Sequence, residues 1–303
     1  MVMSRPFAKP SLTFTQQIAH LQASGMTVAD TPRAEAWLQH VSYYRLSGYW
    51  HVWKDNAGTG FLPGADFDAV CALYTFDRDL RSIVGGAVER VEVALRGSWA
   101  YQLAHRGGPH AYLDAALYED RREFQAMLGK LATDTGRSAE TYIRHYRDNY
   151  DDPALPAVWM VAEMMSFGQL SRWYSLLRDP ALRQAIAAPF GLREELLVSI
   201  VKHLVDVRNI CAHHGRLWNR GFRSPPRLPQ RPVELGATLD ASRAGNAAGQ
   251  VYNALVLLIY LVRQLAPTST WRDELITLLA TRPAGDLGSM GFPADWQTRP
   301  LWT

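Results

Sequence analysis

Arg208, Asn209 and His213 fall inside the single run Arg208-Asn209-Ile210-Cys211-Ala212-His213, and His214, Arg216, Asn219 and Arg220 follow at once. An imidazole takes up and releases protons near neutral pH. A guanidinium holds a phosphate through two parallel hydrogen bonds and never loses its charge. Together they suit cleavage of a phosphodiester whose own 2'-hydroxyl is the nucleophile. Such a reaction needs proton transfer and charge stabilisation, but no metal and no protein nucleophile. A helix over residues 192–214 puts Asn209 and His213 one turn apart on one face, with Arg208 to the side and long enough to swing in. A run of Asn, His and Arg in this density is not the composition of a helix core.

Downstream, Arg216, Arg220, Arg223, Arg227 and Arg231 occur with no acid before Glu234. Trp218 and Phe222 are interleaved, and Pro225, Pro226, Pro229 and Pro232 keep the segment extended. Such a strip suits single-stranded RNA, held by phosphate contacts and base stacking. It also suits a Pro-rich crossover whose charges are merely solvated. Arg45 sits among Tyr43, Tyr44, Tyr49 and Trp50, where an arginine either stacks on a ring or faces a ligand.

The elements that must position these groups read as helices throughout. The longest starts after Asp66 and runs to about residue 106, with Phe67, Val70, Leu73, Phe76, Leu80, Val84, Val91, Leu95 and Trp99 at three and four spacing. Gly85-Gly86 marks a kink or a close helix approach, and Glu92/Arg96 and Asp77/Arg81 are spaced as i,i+4 pairs, so these charges are expected to be solvated or mutually paired. Thr13 and Gln16 form a capping box for a first helix, Thr31-Pro32 opens a second, and residues 41–50 form an aromatic corner. The helix over 192–214 has Leu196, Ile200, His203, Leu204 and Val207 as its apolar stripe, so His203 is expected to be a core or interface histidine and not a catalyst. Shorter helices are expected between these, and two more at about 246–265 and 270–281. Residues 1–10, 236–249 and the end from Arg282 read as irregular. No strand pattern appears. The expected fold is all-α, a bundle of about ten helices centred on those at 67–106, 192–214 and 246–265.

Composition narrows the alternatives. A net charge of +3 says nothing by itself about nucleic acid; the clustering of arginine carries that argument. Two cysteines, Cys71 and Cys211, make no disulfide framework and fit a reducing compartment. Cys-x-His-His at 211–214 spreads its donors around a helix, so no zinc site is expected, and no metal or other cofactor. The N-terminus lacks the apolar segment of a signal peptide, and the run Val251–Val262 is too short to span a bilayer. The expected location is the cytoplasm.

The run RNICAHHGRLWNR resembles the motif of the Abi-like family (AbiD/AbiF type, bacterial abortive-infection proteins) within the HEPN superfamily, whose mark is R-x4-6-H near a helix end. Tyr43 to Trp50, Phe76-Asp77-Arg78-Asp79-Leu80-Arg81, and Trp159 through Ser166-Phe167-Gly168 agree with it, over roughly residues 8–222. The resemblance implies one domain over 1–303: an N-terminal helical extension at 1–65, a HEPN core at 66–222, and a crossover with further helices at 223–303. It implies a metal-independent endoribonuclease that leaves a 2',3'-cyclic phosphate and a 5'-hydroxyl and serves as a toxin-like antiphage protein. Arg208, Asn209 and His213 would be catalytic, and His214, Arg216, Asn219 and Arg220 would contact RNA; Arg223 and Arg227 in the strip and Arg45 among its aromatics are expected as RNA contacts from the residues themselves, since the resemblance gives Arg45 no role. A single R-x4-H motif implies a homodimer with a composite site, and a toxin implies an antitoxin, a small RNA or a protein. Two alternatives stay open: a non-catalytic RNA- or nucleotide-binding module, and a pure interaction protein.

Overall fold

A computed structural model describes residues 10–55, 57–243 and 250–303. These carry fourteen α-helices, short 3-10 turns and isolated β-bridges but no strand, so the fold is all-α as expected. The chain forms two compact units, one ending at Asp79 and one beginning at Leu80. The expected irregular arm at 1–10 lies outside the described residues except for Pro10, as do residues 244–249 of the expected loop and last helices.

In the first unit, helix α1 (Phe14–Ala23) starts at the Thr13/Gln16 capping box, in which Gln16 Oε1 accepts from the Thr13 N–H at 2.9 Å. Asp30 caps α2 (Thr31–Val41), its carboxylate accepting from the Arg33 N–H at 2.9 Å. The aromatic corner is itself a helix, α3 (Tyr43–Trp50). Ser42, at φ 72°, turns the chain sharply and caps that helix through its hydroxyl, which the periodicity of so short a stretch does not reveal. Leu46, Tyr49 and Trp50 face inward. Tyr49 donates its hydroxyl to Asp77 Oδ2 at 2.6 Å, and Asp77 is fully buried. Of the two expectations for these charges, solvated or mutually paired, burial excludes the first at Asp77: a carboxylate that accepts from a buried tyrosine avoids the cost of an unpaired buried charge.

Asp77 lies on α4 (Phe67–Gly107), which runs through Gly85-Gly86 as one continuous helix. In the second unit follow α5 (Arg121–Arg137), α6 (Thr141–Asn149), α7 (Val158–Met164), α8 (Phe167–Ser175), α9 (Pro180–Ala187), α10 (Glu194–Ala212), α11 (Val233–Thr238), α12 (Val251–Leu265), α13 (Trp271–Leu279) and α14 (Ala284–Ser289). The short helices α11 and α14 stand where irregular chain was expected, each started by a proline. Helix α12 is buried all round from Val251 to Val262, which makes it a central helix and explains its apolar sequence. Helix α10 packs on α8, α9 and α12. Its buried stripe is Leu197, Ile200, Val201, His203, Leu204 and Val207; Leu196, expected in the stripe, is only half-buried. Trp99, Tyr112, Tyr118 and Phe124 surround Trp173 edge-on, at ring separations of 6.1, 6.2, 5.3 and 5.9 Å.

His203 is a core histidine. Its Nδ1 donates to the Ser224 carbonyl at 2.9 Å, and its ring stands edge-on to Phe222 at 4.8 Å. Burial pushes its pKa down to about 4. The unfolded chain binds a proton here below about pH 6.5, the folded chain only near 4. This group therefore costs nothing above about pH 6.5, and stability falls between there and about 4, by about 3 kcal/mol in all. Denaturant unfolding measured from pH 7 to 4 should show this loss in the natural chain. In His203→Leu the component of the slope due to His203 should be absent, and an unchanged slope would rule out His203 as its source.

Candidate active site

The motif closes α10. His213 is the C-cap, its N–H bonded to the Asn209 carbonyl at 3.0 Å, so the helix ends at Ala212, just short of the expected boundary. The stop is a two-bond reversal: the His214 N–H bonds the Cys211 carbonyl at 3.1 Å and the Gly215 N–H bonds the Ile210 carbonyl at 2.8 Å. The left-handed residue of such a reversal is usually glycine, yet here it is His214, at φ 55°. The glycine stands one place later, where its backbone approaches Ile210. An imidazole is thus held at a strained position beside His213. His214→Gly should raise the free energy of unfolding by about 1 kcal/mol; a chemical-denaturation series that shows a decrease would contradict this account of the turn.

The side chains of the motif point into two different clefts. Asn209 and His213, four residues apart, line a cavity of about 330 Å³ together with Asp206, Ile210, Gly215, Arg220, Gly221, Phe222 and Arg223. One wall is the last two turns of α10; the other is the loop after it, folded back on the helix. The backbone N–H of Arg227 donates to Ser199 Oγ at 2.8 Å and so ties the loop to α10 further up. Arg208 leans instead into a neighbouring cleft of about 510 Å³, lined also by Glu89, Glu92, Arg96, Glu163 and Cys211. Five residues along a helix correspond to a rotation that leaves Arg208 and His213 about 140° apart. The Arg208 Nε lies 3.8 Å from Glu92 Oε2, and Glu92 also pairs with Arg96, as the i,i+4 spacing suggested. The Arg208 Nη1 donates to Asn209 Oδ1 at 3.4 Å, so Asn209 stands between the two clefts.

The remaining candidates divide in the same way. Arg220 and Arg223 are exposed at the cavity that holds His213, while His214 and Arg227 are exposed elsewhere along the turn and loop. Arg216 and Asn219 are half-buried, Arg216 with its guanidinium 5.9 Å from the Trp218 ring and Asn219 left-handed at φ 51°. Trp218 is fully buried and Phe222 nearly so, which overturns the expected row of stacking rings: these side chains anchor the loop to the core. From His213 to Pro232 the segment is non-helical, with turns at 213–214 and 218–219 and no regular structure at 225–229, where its prolines begin. Arg45 is exposed on α3, in the first unit.

Two acidic residues escaped the reading of the motif. Asp206 could have been found, because it precedes Asn209 by three and His213 by seven and so shares their face. Glu92 could not, since it stands on α4, far away in the sequence.

An all-α chain that ends a buried helix in R-x4-H, with the imidazole and two further guanidiniums at one cavity, defines a class of helical protein organised around that helix end. Residues 36–219 match the family model described as Abi-like protein, more than half of the chain, and the protein belongs to that family. The match takes in Arg208 through Asn219 and stops before Arg220. No curated protein and no solved structure matches the chain. No helix among the described residues is long and apolar enough to cross a membrane.

Proposed function

We propose that this protein is a metal-independent endoribonuclease of the HEPN type, of the AbiD/AbiF kind, acting in abortive-infection defence as a toxin whose activity an antitoxin restrains. The observation that carries the reading is the convergence of His213, Asn209, Arg220 and Arg223 on one cavity, with Arg208 hydrogen-bonded to Asn209. In the reaction, a base takes the proton of a ribose 2'-hydroxyl and O2' bonds to phosphorus. The P–O5' bond breaks, and an acid protonates the leaving oxygen. The products are a 2',3'-cyclic phosphate and a 5'-hydroxyl. His213 serves as base or acid, the guanidiniums neutralise the phosphorane, and Asn209 orients Arg208.

One chain supplies one His213, whereas the reaction needs both a base and an acid. Arg208 and His213 also diverge around α10. A two-fold homodimer that places the helix ends opposite one another supplies a second imidazole and brings the partner's copy of the motif to the same phosphate. The test is cleavage of mixed cellular RNA in excess EDTA with the fragment ends sequenced. Cyclic-phosphate ends are the expected outcome, and ends of any other kind would exclude this chemistry. Dimers assembled from natural and excess His213→Ala chains should cleave far less than the share of natural chain predicts, because a mixed dimer carries only one of the two imidazoles; activity that falls only in proportion to the natural chain would argue for a site within one chain.

The contact between Arg208 and Glu92 favours a second reading, a binding module without cleavage, since a guanidinium already facing a carboxylate is a weaker phosphate clamp. On that reading His213→Ala retains salt-sensitive RNA binding and there is no activity to lose.

A further inference from the structure

Ser82, Gly86, Glu89 and Val93 recur along α4 at intervals of four, three and four, so they share one face. All four line both the cleft of about 510 Å³ that holds Arg208 and a second cleft of about 780 Å³ on the other flank of α4, whose far wall is Leu265, Ala266 and Trp271. They are therefore the crest of a ridge between two grooves. Val93 stands on that crest, 59% exposed. A single exposed valine means little. The glycines are harder to account for. Gly86, and Gly97 one turn beyond Val93, lie inside a helix of 41 residues, where each costs roughly 0.5–1 kcal/mol against alanine. A Cβ built on either meets no atom within 4 Å, so no described residue requires them to be small. Charges flank the crest. At about 100° per residue, Glu89 lies about 40° to one side of Val93 and Arg90 about 60° to the other. Both are exposed. Glu89 has no ion-pair partner among the described residues, and Arg90 Nη1 donates to Ser269 Oγ at 3.4 Å.

We infer that this ridge is the contact between two copies of the chain, with α4 and the partner's α4 antiparallel about a two-fold axis that passes between Glu89 and Arg90. Positions equally far from the axis face each other, and a two-fold turn carries each flank of the ridge onto the opposite flank. Glu89 then meets the partner's Arg90, and Arg90 the partner's Glu89. Val93 sets into the gap at the partner's Gly86. Ser82 meets the partner's Gly97, so the backbones come close where little or no side chain stands between them. One register thus satisfies the knob, the gap and both charge pairs, whereas an axis through Glu89 or through Arg90 sets like charges against each other. The same balance argues against a nucleic acid on the crest, since one acid accompanies one base there and nothing concentrates positive charge. Glu89 and Val93 also line the cleft that holds Arg208. The partner therefore closes one side of that cleft and brings its own Arg90 to the rim. The inference rests on the reading of the protein as a two-fold homodimer and adds the surface that joins the copies.

The test is sedimentation equilibrium of the full-length protein across the micromolar range. The unmodified chain should be a dimer. Glu89→Arg and Arg90→Glu each set two like-charge pairs across the axis, and each should raise the dimer dissociation constant about ten-fold or more. The double variant Glu89→Arg/Arg90→Glu restores opposite charges on both sides and should recover the dimer. That recovery also rules out misfolding as the cause of the loss, because the double variant carries both substitutions. Gly86→Leu fills the gap and should dissociate the dimer with helix content retained, since leucine is the better helix former. Should a charge reversal fail to fold, Gly86→Leu decides alone. A monomer at every concentration, a dimer indifferent to the single reversals and to Gly86→Leu, or a double variant no tighter than the single ones would each overturn the proposal. The RNA-cleavage assay separates the two readings: a dimer that answers to these substitutions but cuts no RNA sinks the nuclease alone, and a nuclease whose dimer ignores them sinks this contact alone.

Discussion

Replacing His213 by alanine should lower the rate of EDTA-resistant RNA cleavage by about a thousand-fold, within the range observed when a general acid or base is removed. RNA affinity should change little, because Arg220 and Arg223 remain at the cavity. The fold should hardly notice. His213 is exposed and caps α10 through its backbone N–H, which alanine keeps, and a surface substitution of this kind usually moves stability by less than about 0.5 kcal/mol. A loss of activity in a protein that unfolds at the same denaturant concentration as the original therefore reports chemistry. Equal cutting by both proteins would remove His213 from the mechanism and redirect attention to His214, held strained one residue on.

Glu194→Ala should destabilise the fold by about 3 kcal/mol. Glu194 lies in the first turn of α10 and accepts from Arg183 Nε at 2.8 Å and Nη2 at 3.3 Å, with both side chains mostly buried. The Arg183 guanidinium also faces Glu119 at 3.4 Å and the Leu177 carbonyl, so it would keep some partners, which places the expected cost at the lower end for a broken buried pair. The pair ties α10 to α9 at the end of the helix opposite the motif. Equilibrium urea unfolding measures the change. A difference below about 0.5 kcal/mol would mean that the pair behaves like a surface ion pair, and that α10 is positioned by its apolar stripe alone.

Much of the site was legible because it is local. Asn209 and His213 share a face by helical spacing, and the non-helical course of residues 225–232 follows from their prolines, whereas the turn that puts His214 in the left-handed position is not what the sequence suggests. Asp206 was legible by the same rule, three residues before Asn209. The first-unit helix α3 was not, because a single left-handed serine sets its start and eight residues give too little periodicity to separate helix from aromatic corner. The burial of Asp77 was equally hidden, since its partner Tyr49 comes from a different element.

The sequence by itself determined the all-α class, the long helices, the end of α10 and which polar groups gather there, since each depends on residues within a few turns of one another. Tertiary structure decided the rest. It sent Arg208 toward Glu92 on α4 and left His213 in the other cleft, because five residues carry a side chain well round a helix and only a packed neighbour settles where a long arginine comes to rest. It also took Trp218 out of any RNA-binding strip: an apolar ring and a chain that folds back on its own helix leave burial as the favoured state, whatever charges flank it.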